Sequence, residues 1–279
     1  MEYRTSRQGD TLSIIDKENS ISIRSSALSS VGMVRGNNED SVQLWSFDNF
    51  TLGLVADGMG GAAGGEEASR IAVEAVQQAF VESLPDDTSE WRSTSEDEIA
   101  SKLNDALTRA NQNVLDRAAR DHQLHGMGTT ATLVLLNGTR AIFAHIGDSR
   151  AYIVDSESDE ISKITHDHSF VEALVHSGHL TQEEAERHPM RNVLYRALGQ
   201  KTESELEIDI YTRDLKAGDR LVLCSDGLPR HLKDEEIKAI ALRYDDPNVI
   251  ARHLIDTANE RGGEDNVSAV VLLIESIKD

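Results

Sequence analysis

The stretch RLVLCSDGLPR, residues 220–230, places a thiol and a guanidinium, Cys224 and Arg230, with five residues between them. At that spacing a loop can hold a phosphate on its backbone N–H groups while a thiolate attacks phosphorus. Asp226, followed by Gly227, lies inside the same loop and suggests a different chemistry, a carboxylate at a strand end holding a hard cation. Three features weigh against sulfur. Asp226 puts negative charge where a dianion would sit, and Pro229 offers no N–H. Leu223 stands before the cysteine, where thiol-dependent loops typically carry His. Cys224 also continues the apolar run of Leu221 and Leu223, so the sequence predicts a buried, inert thiol and an accidental spacing.

Three further stretches repeat the second arrangement. Asp57 in LVADGMGG, Asp148 in HIGDSRAY and Asp265 in GGEDNVSAV each stand at the end of an apolar strand or in the adjacent turn. A single Asp-Gly is a common turn, since Asp hydrogen-bonds its own backbone locally. Four such acids beside apolar strands are harder to assign to turn chemistry alone. Mg²⁺ and Mn²⁺ prefer such oxygen ligands, and Gly58, lacking a side chain, lets its carbonyl approach an ion closely. Two bare carboxylates about 4 Å apart repel by roughly 4 kcal/mol at an effective dielectric of 20, so a cluster of them needs protons or metal. Upstream, VGMVRGNNEDS supplies Arg35, able to hold a phosphate through paired hydrogen bonds, and Glu39 and Asp40, able to orient metal-bound waters.

These residues must be positioned by strands and helices. VQLWS (42–46) and TLGLVA (51–56) read as strands ending at a Gly-rich turn, DGMGGAAGG. Ala68, Ile71, Ala72, Ala75, Ala79 and Phe80 then recur at helical spacing, as do Ile99, Leu103, Ala106, Leu107, Ala110 and Val114, with a polar stretch between. TTATLVLL and RAIFAHI form a hairpin across Asn137-Gly138, two residues that tolerate positive φ. GDSRAYIV is a turn and strand, and 166–199 reads as irregular, helical and His-rich, with Thr181 and Glu184 at capping-box spacing so that a short helix starts at Gln182. DRLVLCS is a strand, DEEIKAIALRY and NVIARHLIDTANER are amphipathic helices, and NVSAVVLLIES is a closing strand. This order does not alternate as a parallel βαβ protein would. It fits antiparallel sheets with helices grouped in pairs outside them, and the near-continuous apolar strands imply sheets covered on both faces. Residues 1–24 are polar and mixed, either a tail or an added edge strand.

Composition narrows the function classes. The 279 residues carry a formal charge of −21, which disfavours nucleic-acid binding. No apolar stretch approaches the roughly 20 residues that span a bilayer, and the first 20 residues lack the apolar core of a signal peptide. One cysteine forms no internal disulfide, in keeping with a reducing cytoplasm. The histidines of HDH (166–168) and HQLH (122–125) lack the compact Cys/His set of a zinc site and are expected on the surface or in the irregular segment.

Taken in order, VRGNNEDS, VADGMGG, GTTATLVLL, HIGDSRAY, LCSDGL and EDNVSAVVL resemble the signatures of the metal-dependent serine/threonine protein phosphatases, the type 2C or PPM family, most closely its bacterial members. The resemblance runs from about Ser25 to Ile274. It implies an α+β fold, a four-layer α/β/β/α sandwich of two central antiparallel sheets flanked by helix pairs. The implied domain covers 25–276, with a mobile flap at about 166–199 and an N-terminal extension, 1–24, of unknown role. By position, Asp57 would bridge two Mn²⁺ or Mg²⁺ ions, the Gly58 carbonyl would bind the second, and Asp226 and Asp265 would complete the first ion's shell. Asp148 with Asp226 resembles the third-metal site of bacterial relatives, and Arg35 would bind the substrate phosphate. Met59 departs from the many eukaryotic members that place His there, which leaves the proton donor open.

The expected reaction is hydrolysis of phosphoserine and phosphothreonine in proteins. A hydroxide bridging the two ions would attack in line, in one step and without a phosphoenzyme. The expected setting is a cytoplasmic monomer, with a partner serine/threonine kinase implied by the family. A small-molecule phosphohydrolase with the same site and a non-catalytic phosphoprotein-binding regulator are the competing classes. The complete Asp set argues against the latter, since a binding module has no need of it.

Overall fold

Alternation of apolar side chains along each central strand sets the architecture. The structure, a computed structural model, describes residues 4–5, 11–16, 21–47, 50–60, 63–80, 94–200 and 206–277. One sheet contains β1 (Arg4–Thr5), β4 (Asp40–Ser46), β5 (Phe50–Met59), β7 (Ala131–Asn137), β8 (Arg140–Ile146) and β11 (Asp209–Asp214) in the order β1-β4-β5-β7-β8-β11, with β6 (Gly128–Thr129) paired to the end of β5. The other runs β10 (Glu160–Lys163), β9 (Arg150–Asp155), β12 (Arg220–Cys224), β13 (Val267–Ile277), β3 (Ile21–Ser30) and β2 (Thr11–Asp16). The pairings are antiparallel in both sheets.

Successive side chains point to opposite faces of a strand. Val55, Val134, Phe143, Leu221, Leu223, Val270 and Leu272 therefore meet between the two sheets. On the outer face of the first sheet, Leu52, Leu54, Leu133, Leu135 and Ile142 pack on α1 (Gly64–Phe80) and α2 (Glu96–Arg120). On the outer face of the second, Tyr152, Val222, Cys224, Ala269 and Val271 pack on α5 (Asp234–Arg243) and α6 (Pro247–Glu260). The result is the four-layer α/β/β/α sandwich, and the apolar spacing expected for α1 and α2 forms their buried faces.

Several details differ from the sequence reading. β5 does not end at Ala56. Asp57 pairs with Asp40 and Gly58 with Thr129, so the acid and glycine are held inside the sheet edge rather than in a loose turn. In the β7–β8 hairpin Asn137 stays in the strand opposite Arg140, and Gly138, with φ +57°, takes the positive-φ position alone. Segment 166–199 holds two short helices, α3 (Phe170–His176) and α4 (Gln182–Glu186), the second with the expected Thr181/Glu184 capping box. β3 begins at Ile21, so the division expected between 24 and 25 falls within a strand, and β2 lies beside it as an edge strand. The polar stretch between α1 and α2 falls largely outside the described residues. No helix among the described residues is long and apolar enough to cross a membrane.

Candidate active site

The four aspartates come from four separate places. Asp57 ends the pairing of β5 with β4, Asp148 lies in the β8–β9 turn, Asp226 follows β12, and Asp265 precedes β13. All four line one cleft of about 470 Å³, together with Arg35, Glu39, Gly58, Met59, Thr130, Asn192, Arg230 and Asn266. Asp40 lies beside it, buried, with Oδ2 accepting from Ser225 Oγ at 2.7 Å and Ser268 Oγ at 2.6 Å. Its Oδ1 is buried without a hydrogen-bond partner.

Backbone contacts hold the cleft's floor. The Asp57 carbonyl accepts from Thr130 N and Thr129 Oγ1, both at 2.9 Å, and Asp57 N donates to Thr130 Oγ1 at 2.9 Å. Gly58 N donates to the Glu39 carbonyl at 3.2 Å. A Cβ at Gly58 would fall 2.1 Å from the Gly65 carbonyl oxygen and 2.6 Å from that of Glu39. Only glycine permits this meeting of β5, the β3–β4 loop (31–39) and the start of α1. The 31–39 loop is clamped by Asn266. Its Nδ2 donates to the carbonyls of Val31 and Asn37 at 2.9 Å each, and its Oδ1 accepts from Glu39 N at 2.8 Å.

The electrostatics are those of acids crowded out of water. Burial raises Asp57, Asp148 and Asp226 from the ordinary carboxylate range, reinforced by their mutual repulsion. Burial likewise pushes Asp40 up to about 7, against the hydrogen bonds from Ser268 and Ser225, and raises Glu39. Guanidinium groups are drawn in. Arg35 Nη2 donates to Asp265 Oδ2 at 2.9 Å, and Arg230 pairs with Asp226 and lies 3.3 Å from Asp265. Among the described residues no three of these acids close around a single point. With two arginines between them, they share a cleft rather than a tight cage.

This arrangement fits divalent cations by its donor chemistry. The oxygen-only set, the carboxylates whose repulsion calls for positive charge, and the side-chain-free backbone at Gly58 are what hard cations use. Asp57, the Gly58 carbonyl, Asp226, Asp265 and Asp148 are the residues that would hold them. Cys224 serves no such purpose. It is fully buried on the helix side of β12, and burial pushes its thiol up to about 12. His122 and His125 are exposed, and His168, in the irregular segment as expected, is buried and accepts from Gly147 N at 3.0 Å.

Some residues escaped the sequence reading. Arg230 drew notice only for its distance from Cys224, yet it pairs with Asp226 four residues before it. Asn266 was visible only as the neighbour of Asp265. Asn192 carries no sequence signal, and Thr130 stands out only as part of GTTATLVLL, because their places depend on contacts far along the chain.

The fold and site define an antiparallel double sandwich with an acidic cleft where strand ends of both sheets meet, and the comparisons assign the chain to a family. Residues 34–265 match the family Protein phosphatase 2C, and the chain belongs to that family. It is 39% identical over 249 residues to the serine/threonine protein phosphatase PstP of Mycobacterium tuberculosis, a match covering 89% of this chain and 44% of that protein. The chain thus spans under half the length of that relative. It is 34% identical over 245 residues to the serine/threonine phosphatase stp of Listeria welshimeri, covering 88% of this chain and 92% of the relative. Among solved structures, the catalytic domain of PstP in complex with two manganese ions superposes with a TM-score of 0.76 at 36% identity, covering 92% of this chain and 99% of that one.

Proposed function

We propose that this chain is a metal-dependent phosphatase that hydrolyses phosphoserine and phosphothreonine in proteins. The observation that carries the reading is the convergence of Asp57, Asp148, Asp226 and Asp265 with Arg35 on one cleft, in a chain of the Protein phosphatase 2C family. Two cations, Mn²⁺ or Mg²⁺, are assigned to Asp57, the Gly58 carbonyl, Asp226 and Asp265, and a third to Asp148 with Asp226. When bound, they supply Lewis-acid charge and activate water at neutral pH. Glu39 and Asp40 orient water around them from behind. Arg35, on the rim, exchanges Asp265 for the substrate phosphate, where its fork matches two phosphoryl oxygens.

Water is the nucleophile in this reading. The P–O bond to the serine or threonine oxygen breaks as the new P–O bond forms, in one displacement with no phosphoenzyme. The support is the negative charge around the cleft, which calls for cations able to activate water, and the state of Cys224, buried and protonated. Met59 has no proton to give, and a water or a group of the flap supplies the proton that the leaving alkoxide takes. The same reading places the protein in the cytoplasm as a monomer acting on phosphoproteins, a serine/threonine kinase among its partners.

The test is phosphate release from a phosphothreonine protein with Mn²⁺ and with excess EDTA. Asp226→Asn is expected to lower kcat by on the order of 100-fold while far-UV circular dichroism stays unchanged. Near-normal kcat in this variant, or full turnover in EDTA, contradicts the assignment.

A further inference from the structure

Among the described residues, exposed large apolar side chains fall in two segments only: Val31, Met33 and Val34 in the 31–39 loop, and Met190, Val193 and Tyr195 in the flap at 166–199. Scattered surface apolar residues need no explanation, but two clusters beside one polar cleft do. Met33 and Val34 are 69% exposed, far more than side chains that merely fill a gap.

Both segments border the candidate active site. Arg35, Gly36 and Asn37, directly after Val34, line the cleft, as do Asn192 and Leu194, which flank Val193. A chain of contacts crosses the cleft from one to the other. Arg35 donates to Asp265, Arg230 lies against Asp265 and Asp226, and Arg230 Nη2 donates to Asn192 Oδ1 at 3.2 Å. The acids therefore stand between two apolar rims.

Each rim is fixed in place by the backbone. Met33 N donates to the Gly263 carbonyl at 2.8 Å, and Asn266 clamps the same loop. On the flap, Val193 N donates to the Met190 carbonyl at 3.1 Å, and the Val193 carbonyl accepts from Phe170 N at 2.8 Å. Tyr195 N donates to the His168 carbonyl at 2.9 Å.

We infer that the two rims are a specificity surface for the phosphoprotein substrate: they receive a polypeptide segment in which large apolar side chains stand on either side of the phosphorylated residue. This rests on the phosphatase reading above. The occupant follows from the chemistry of the cleft. Its centre, with cations and Arg35, takes a phosphate dianion, and its two margins present the exposed apolar side chains, with Arg191 and Arg196 adjacent to them on the flap. A small phosphorylated metabolite would leave both margins in water. A chain passing through the cleft covers them both.

The test compares two phosphothreonine peptides of equal length and charge, one with Leu and one with Ser at the positions flanking the phosphoresidue, and a capped single phosphothreonine, all with Mn²⁺. The wild-type protein is expected to show a KM about 10-fold lower for the Leu peptide, with similar kcat, as partial burial of two apolar side chains implies. In the double variants Met33→Gln/Val34→Thr and Met190→Gln/Val193→Thr that gap closes. Equal KM values for the two peptides in the wild type overturn the inference while leaving the phosphatase reading in place, and so does a gap that survives in both double variants. Failure to release phosphate from any of the three substrates overturns the phosphatase reading, and the inference with it.

Discussion

Cys224 and Asp226 stand two residues apart at the end of one strand, and their surroundings are opposite. Cys224 packs among Val222, Leu228, Ile237 and Val271 under the helix layer, while Asp226 lines the cleft and draws in Arg230. A thiol held near 12 has a negligible thiolate fraction at neutral pH, so it has no nucleophile to offer. Cys224→Ala is therefore expected to leave kcat within about twofold of the wild type and to lower stability by about 1 kcal/mol through lost packing. Phosphate-release kinetics beside urea denaturation separate the two effects. A loss of turnover out of proportion to stability would return the sulfur to the mechanism. Gly58 shows the same economy beside Asp57, where a single methyl group would collide with two backbone carbonyls that bring the cleft's components together.

At the level of elements, the flap is tied to the first sheet by two buried histidines. His145, on β8, has its Nε2 3.0 Å from the His166 carbonyl, and its Nδ1 lies 2.9 Å from the Thr132 hydroxyl. A carbonyl only accepts, so Nε2 carries a proton. Burial, with help from His168, pushes His145 down to about 4. The unfolded chain takes up this proton near 6.5 and the folded protein only near 4, so the unfolded state gains protons first as pH falls. The contribution is whole above 6.5 and is lost progressively between 6.5 and about 4, about 3 kcal/mol in all. His145→Gln is expected to flatten the difference in urea stability between pH 7 and pH 5 relative to the wild type. An unchanged difference would show that His145 is not the titrating anchor. None of this is readable from the sequence, which places His166 and His168 on the surface or in the irregular segment without naming their contacts and gives His145 no local signal. Local signals did carry: the Thr181/Glu184 cap formed as spaced, and the apolar faces of α1 and α2 were those their periodicity named. These depend on residues a turn apart. The His145–His166 contact, the Asn266 clamp on Val31 and the Arg230–Asn192 bond depend on loops 21 to 235 residues apart, which no local pattern encodes.

For the whole molecule, the sandwich concentrates a −21 protein's acids where its own folding brings them together. Asp40 is held up to about 7, and Asp57, Asp148 and Asp226 are raised by burial and one another. A carboxylate with a raised folded pKa binds more protons folded than unfolded. The contribution of these acids to the stability of the metal-free protein therefore falls as pH rises from about 4 through about 7. Divalent cations bind the deprotonated acids, so they offset this loss most where it is greatest. At 100 times its Kd, a ligand that binds only the folded state adds about 2.7 kcal/mol, which for a domain of this size raises Tm by roughly 5–10 °C. The gain in Tm on adding Mn²⁺ is expected to be larger at pH 8 than at pH 5, to reverse with EDTA, and to shrink in Asp226→Asn. Differential scanning fluorimetry at the two pH values decides it. An equal gain at both, or one that survives in Asp226→Asn, would mean that the ion stabilises the protein from somewhere other than the cleft.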